Sequence, residues 1–153
     1  MSREIFTFKK QLDVGAKGED FFLDCYGNKA SKSDGRKFDL FFDGKSVELK
    51  TDTYPIEKTP NFFMEKLGNV ESNKIGGPWR AADDGVDYFV YLFASNKTFY
   101  WFETKKLVKF LDEYTKGKRG RTVANRGYVT LGFLVPRLEC KAVTLRRDVF
   151  NEK

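Results

Sequence analysis

Asp39 and the tripeptide Glu48-Leu49-Lys50 flank Asp43-Gly44, a strong two-residue hairpin signal. A two-residue turn there sets Phe42 opposite Lys45, Leu40 opposite Val47 and Asp39 opposite Glu48. Phe38, Leu40, Phe42, Val47, Leu49 and Thr51 then share one side, which is expected to pack on the core. Lys37, Asp39, Phe41, Ser46, Glu48 and Lys50 share the other. A one-residue slip would drive Glu48 and Lys50 among the apolar side chains, so the pattern selects this register. Two carboxylates directly across strands have Cβ atoms roughly 4.5–5.5 Å apart, and like charges there are destabilising. A divalent cation relieves the repulsion: Mg²⁺ takes oxygen ligands, commonly one or two carboxylates plus substrate phosphates. Two acids, a lysine and a metal-activated water suffice for phosphodiester hydrolysis.

The competing interpretation is a solvated hairpin face. Glu-x-Lys recurs at Glu103-Thr-Lys105 and Glu139-Cys-Lys141 in a chain that is 33% charged. Only Glu48-Leu49-Lys50 has an acid opposite it in a hairpin register. Upstream, the pattern predicts a helix over Asp13–Tyr26, with Asp13 as N-cap and Gly27-Asn28 as the stop. Its apolar positions fall in two stripes, and Glu19 projects within the one marked by Leu23 and Tyr26. A partly buried carboxylate there needs a partner.

Gly18-Glu19 on a leading helix, then Asp39, then Glu48-Leu49-Lys50 on the next strand resembles the PD-(D/E)XK nuclease superfamily. The resemblance implies a restriction-endonuclease-like domain in which a mixed central sheet flanked by helices holds one or two Mg²⁺ ions, with Mn²⁺ as a substitute. It implies Asp39 and Glu48 as metal ligands, Lys50 as the catalytic lysine, and Glu19 as an accessory ligand. Lys37-Phe38 precedes Asp39 where the family's name has a proline. The motif covers about the first fifty residues and speaks to the reaction class more than to the DNA structure that is cut.

Composition narrows the chemistry independently. The 153 residues contain no histidine, which removes Ser-His-Asp and Cys-His systems, histidine zinc sites and any histidine general base. Cys25 and Cys140 lie far apart with no CxxC, so free thiols in a reducing compartment are expected. No leader-like apolar run opens the chain, and no stretch approaches the ~18 apolar residues of a membrane span. A cytoplasmic protein with no membrane partner is the expectation. Length fits one domain over residues 1–153.

The elements that must carry these residues follow from periodicity. Strands are expected at Phe38–Phe42, Ser46–Thr51, Asn61–Lys66, Asp87–Ala94, Thr98–Phe102 and Tyr128–Val135. Asp87–Ala94 is apolar throughout, as for a strand covered on both faces. Helices are expected at Trp79–Asp84 and Thr104–Tyr114, and a loop at Leu67–Pro78. The fold class is α/β. The net charge of +6 is concentrated in Lys116–Arg126, read as a flexible basic loop. Lys118, Arg119, Arg121 and Arg126, with Arg80 beside Trp79, are the candidate phosphate contacts, and DNA the expected partner.

These features point to a Mg²⁺-dependent deoxyribonuclease, with a structure-directed endonuclease of junction-resolvase type and a recombination exonuclease both open within the class. A homodimer is expected, since one small subunit reaches both strands awkwardly. The rivals are a non-catalytic DNA-binding module of the same fold and a domain that meets an acidic protein.

Overall fold

Asp43 and Gly44 both take positive φ, 47° and 78°, and reverse the chain in two residues. They join strand β2 (Leu40–Phe42) to β3 (Lys45–Asp52), with Leu40 opposite Val47 and Phe42 opposite Lys45, the register expected. The computed structural model describes residues 8–150, with side chains from residue 14. Residues 1–7 and 151–153, which include the segment read for a leader, lie outside the described residues.

The chain opens with helix α1 (Phe8–Tyr26), followed by strand β1 (Ala30–Lys32) and the β2–β3 hairpin. Then come β4 (Asn61–Asn69), β5 (Lys74–Ile75), helix α2 (Gly77–Asp83), β6 (Tyr88–Phe93) and β7 (Thr98–Glu103). Helix α3 (Thr104–Tyr114), β8 (Arg121–Asn125), β9 (Tyr128–Pro136) and β10 (Thr144–Val149) complete it. The central sheet has six strands in the order β1-β2-β3-β6-β7-β10. It is mixed: β3 and β6 run parallel, with Glu48 beside Phe89 and Lys50 beside Tyr91, and the other neighbours are antiparallel. The fold class is therefore α/β with a mixed central sheet and helices.

One face of that sheet is covered by α1. Phe22 is fully buried against Leu40, Phe42, Val47, Val90, Leu92, Phe99 and Trp101. The helix can come this close because position 18 is glycine: a Cβ there would sit 1.9 Å from Thr51 Oγ1. The opposite face of β6, bearing Phe89, Tyr91 and Phe93, packs on Phe62 and Met64 of β4, Phe133 and Val135 of β9, and Leu107 and Leu111 of α3. Strand β6 is thus buried on both faces, as its unbroken apolar run implies.

Several expectations need correction. Helix α1 already runs through Asp13, so Asp13 is not its N-cap. The sheet is not flanked by helices alone: a second, four-stranded sheet of order β5-β4-β9-β8 shares the second face with α2 and α3. Leu67–Pro78 is not one loop, since β4 continues to Asn69 and β5 returns beside it. Lys116–Arg126 is not one loop either, because Arg121–Asn125 pairs with Tyr128–Gly132 as β8. In both places cross-strand pairing compensates for weak local propensity. Phe38 packs with Phe41 and the second core rather than under α1, because the alternation of β2 does not extend to it. Both cysteines are free, and among the described residues no helix is long and apolar enough to cross a membrane.

Candidate active site

Glu48 lies in the middle of β3, held between its parallel neighbour β6 and the hairpin strand β2. Its side chain is 16% exposed, and Oε1 is buried with no hydrogen-bond partner. Oε2 receives Arg80 Nη2 at 2.6 Å. Arg80 also donates through Nη1 to Asp84 Oδ2 at 3.0 Å and to the Lys37 carbonyl at 3.3 Å. The helix that carries Arg80 is anchored by close approach: Gly77 has φ +51°, and a Cβ there would lie 2.4 Å from the Glu65 carbonyl oxygen. Trp79 Nε1 donates to Asp112 at 2.8 Å, which ties α2 to α3.

Asp39 stands just ahead of β2 rather than within it. Its N–H donates to the Val47 carbonyl at 3.0 Å, and its Oδ2 accepts from the Leu49 N–H at 2.8 Å. The ladder ends at Leu40–Val47, so Asp39 is not the ladder partner of Glu48 as the hairpin arithmetic has it. It reaches the same place by folding its carboxylate back onto β3. Burial pushes the Glu48 carboxyl up to about 7; the Asp39 charge adds to the rise, and Arg80 opposes it. The Asp39 carboxyl is also raised by burial, against the Leu49 hydrogen bond and Arg80. Glu19 is raised by burial and then by Asp39, with Lys32 opposing. The structure therefore brings Glu19, Asp39 and Glu48 within electrostatic reach of one another, from α1, the β2 approach and β3.

Lys50 follows Glu48 on β3 and acts electrostatically on Glu65, a carboxyl raised by burial and opposed by Lys50 and Arg80. Glu65 lies where the β4–β9 register shifts, between Glu65 and Leu67, and against Gly76 and Gly77. Sequence reasoning missed Glu65; the signal was an acid closing the apolar run Asn61-Phe-Phe-Met of a strand. It also missed the partner of Arg80. Arg80 is turned toward Glu48, not displayed on an outer basic surface. The other Glu-x-Lys matches stay away from this cluster: Glu103 pairs with Lys106 at 2.9 Å, and Glu139 is exposed.

The basic residues divide into two groups. Lys118, Arg119 and Arg121 border an open groove of about 370 Å³ with Tyr114, Phe133 and Leu134. Lys118 Nζ lies 4.6 Å from the centroid of the Tyr114 ring. Arg126 sits at the far end of β8, in the turn to β9, roughly 17 Å from Arg121 at strand rise. The five-charge run read as one patch is thus two, because β8 forms between them.

Among the described residues, no three His, Cys, Asp or Glu side chains converge into a ready-made metal cage. The donors present are nonetheless hard carboxylate oxygens, one of them buried and unpartnered on Glu48. That set suits Mg²⁺, which needs few protein ligands when phosphates complete its shell, better than a cation held wholly by protein.

A pH prediction follows from the shared direction of these shifts. Glu48, Asp39, Glu19 and Glu65 are all raised in the fold, so the native protein holds protons that the unfolded chain releases. At Glu48 the resulting stability is fullest below about pH 4.5 and is lost as pH rises through about 7; the other three groups act in the same direction. The Glu48 share of the loss is on the order of 3 kcal/mol. Denaturant melts in EDTA at pH 4, 6 and 8 measure it. Glu48→Gln should be the more stable protein at pH 8, and its advantage should vanish near pH 4. Equal stabilities at pH 8 would show that the carboxylate bears no burial penalty.

No family model matches the chain, and no curated protein is significantly similar to it, so its assignment to a reaction rests on the arrangement of these residues.

Proposed function

We propose that this protein is a Mg²⁺-dependent deoxyribonuclease whose active site is the Asp39, Glu48 and Lys50 cluster, with Glu19 as an accessory acid. The observation that carries the proposal is a pair of half-buried carboxylates, Asp39 and Glu48, each raised by desolvation, with an unpartnered buried oxygen on Glu48. A protein gains nothing in stability from such a pair, and charges of this kind concentrate where they do chemistry. Asp39 and Glu48 would hold the cation, with Glu19 adding charge from α1. When bound, Mg²⁺ (or Mn²⁺) supplies Lewis acidity that makes water a competent nucleophile at neutral pH and neutralises phosphate charge.

The chain's own residues do the rest. Asp39 is oriented by the Leu49 N–H, so its second oxygen is presented in a defined direction. Lys50, on the Glu48 strand and beside Glu65, is the cation available to a phosphate oxygen whose charge grows during attack. The absence of histidine leaves no competing general base of that type in the chain. The Lys118/Arg119/Arg121 groove supplies backbone contacts away from the reacting centre.

Incubation with plasmid, single-stranded and branched DNA, in Mg²⁺ or in EDTA, tests the proposal. Cleavage in Mg²⁺ alone is expected, and preference for the branched substrate would mark a junction-resolving endonuclease. Binding without cleavage on every substrate would leave the non-catalytic DNA-binding module.

The groove makes a separate prediction. In EDTA, log affinity for duplex DNA should fall linearly with log salt, and neutralising Lys118, Arg119 and Arg121 together should reduce the slope by about 0.9 for each lost phosphate contact. Fluorescence anisotropy across a salt series measures this. An unchanged slope would remove the groove from the interface.

A further inference from the structure

Besides the Lys37 carbonyl, Arg80 holds two carboxylates that stand in different places. Nη2 is bound to Glu48 Oε2 at 2.6 Å, inside the carboxylate cluster. Nη1 is bound to Asp84 Oδ2 at 3.0 Å, one turn along α2 and outside the cluster. The guanidinium is the cation in contact with Glu48, and it also acts electrostatically on Asp39. It therefore neutralises the charge that a divalent cation on the unpartnered Oε1 would neutralise, and the two cations repel across one carboxylate. Asp84, at i+4 on the same helix, offers a second anchor that would survive loss of the first. The mount itself is firm: Gly77 is pressed on the Glu65 backbone and Trp79 is tied to Asp112, so the guanidinium can exchange partners without α2 moving.

Resting on the function proposed above, we propose that Arg80 is an exchangeable counter-ion: it holds Glu48 in the metal-free protein, yields that carboxylate to the incoming cation, and turns to the substrate phosphate while Asp84 retains it. The chemistry suits arginine. Its planar fork binds a carboxylate and a phosphate oxygen equally well, and two parallel N–H groups let it keep one acceptor while changing the other. The cost of leaving Glu48 is offset only when a divalent cation replaces it, so a phosphate contact by Arg80 is coupled to metal loading. DNA bound without metal would then lack that contact.

The coupling is reciprocal and can be read without turnover. Mg²⁺ is titrated against the thermal unfolding of the DNA-free protein, for wild type, Arg80→Met, Asp84→Asn and Glu48→Gln. Removing the competitor should let Arg80→Met take up Mg²⁺ about tenfold more tightly, the equivalent of one charged hydrogen bond of about 1.4 kcal/mol. Asp84→Asn removes the outer negative charge, leaves Glu48 as the carboxylate paired with Arg80, and should weaken Mg²⁺ uptake. The two variants thus move in opposite directions, and Asp84→Asn alters an exposed position, so it decides the question even if Arg80→Met does not fold. At saturating Mg²⁺, Arg80→Met should still cleave more slowly than wild type, since the phosphate has lost a partner. A Glu48-dependent Mg²⁺ shift in wild type, with unchanged or weaker uptake in Arg80→Met, or with tighter uptake in Asp84→Asn, would overturn the exchange and leave the proposed function standing. Wild-type cleavage by Arg80→Met at saturating Mg²⁺ would overturn the phosphate contact. No Mg²⁺ shift in wild type would overturn the metal site itself, and the exchange with it.

Discussion

Glu48→Gln is expected to lower Mg²⁺-dependent DNA cleavage by about 10³-fold, since a cation's charge stabilisation is worth several kcal/mol and this residue would hold it. DNA binding in EDTA should stay near the wild-type level, because the basic residues of the groove lie between α3 and the start of β8 rather than on β3. The substitution keeps the shape of the side chain and an acceptor for Arg80, so loss of activity would not reflect a hole in the fold. Mg²⁺ should raise the melting temperature of wild type, as a ligand of the folded state does by mass action, and the variant should lose most of that rise. The joint loss of cleavage and of Mg²⁺ stabilisation distinguishes a metal ligand from a solvated hairpin acid. Cleavage by Glu48→Gln at the wild-type rate would place the chemistry elsewhere in the molecule.

The second large effect is expected at Gly18. A Cβ at this position would meet Thr51 Oγ1 at 1.9 Å and Thr51 Cβ at 3.0 Å, so rotating the threonine does not make room. Gly18→Val should destabilise the protein by about 1–3 kcal/mol through overpacking. It should also lift α1 from β3 and withdraw Glu19 from Asp39, which lowers cleavage beyond the loss of folded protein. Chemical denaturation of Gly18→Val, Thr51→Ala and the double variant measures the contact. Partial recovery in the double variant, with a coupling of about 0.5–3 kcal/mol, is the expected outcome. Strict additivity would mean that the helix and strand do not constrain each other here.

These two experiments address different kinds of information in the chain. The β2–β3 register was legible because it depends on local physics: Asp43-Gly44 permits two successive positive φ angles, and alternation leaves one side apolar. The double burial of β6 was legible in an unbroken apolar run, and the span of α3 in a strong helical period over a short stretch. Where local preference was weak, pairing between distant segments decided. Arg121–Asn125 became a strand because β9 offered it a ladder, and that split the basic residues in two. Phe22 carried no special mark among the aromatic residues of α1, yet the sheet made it the centre of a core.

The candidate site divides along the same line. Glu48 and Lys50 were fixed relative to each other by one strand, and their chemistry was readable from residue type and spacing. Tertiary structure alone turned Asp39 onto the Leu49 N–H, brought Arg80 from α2 to Glu48, and set Glu65 beside the glycines that start that helix. The physical reason is range: a turn and a β-period act over a few residues, whereas Glu48 and Arg80 are separated by 32 positions and meet only because β4, β5 and α2 fold between the parallel strands β3 and β6.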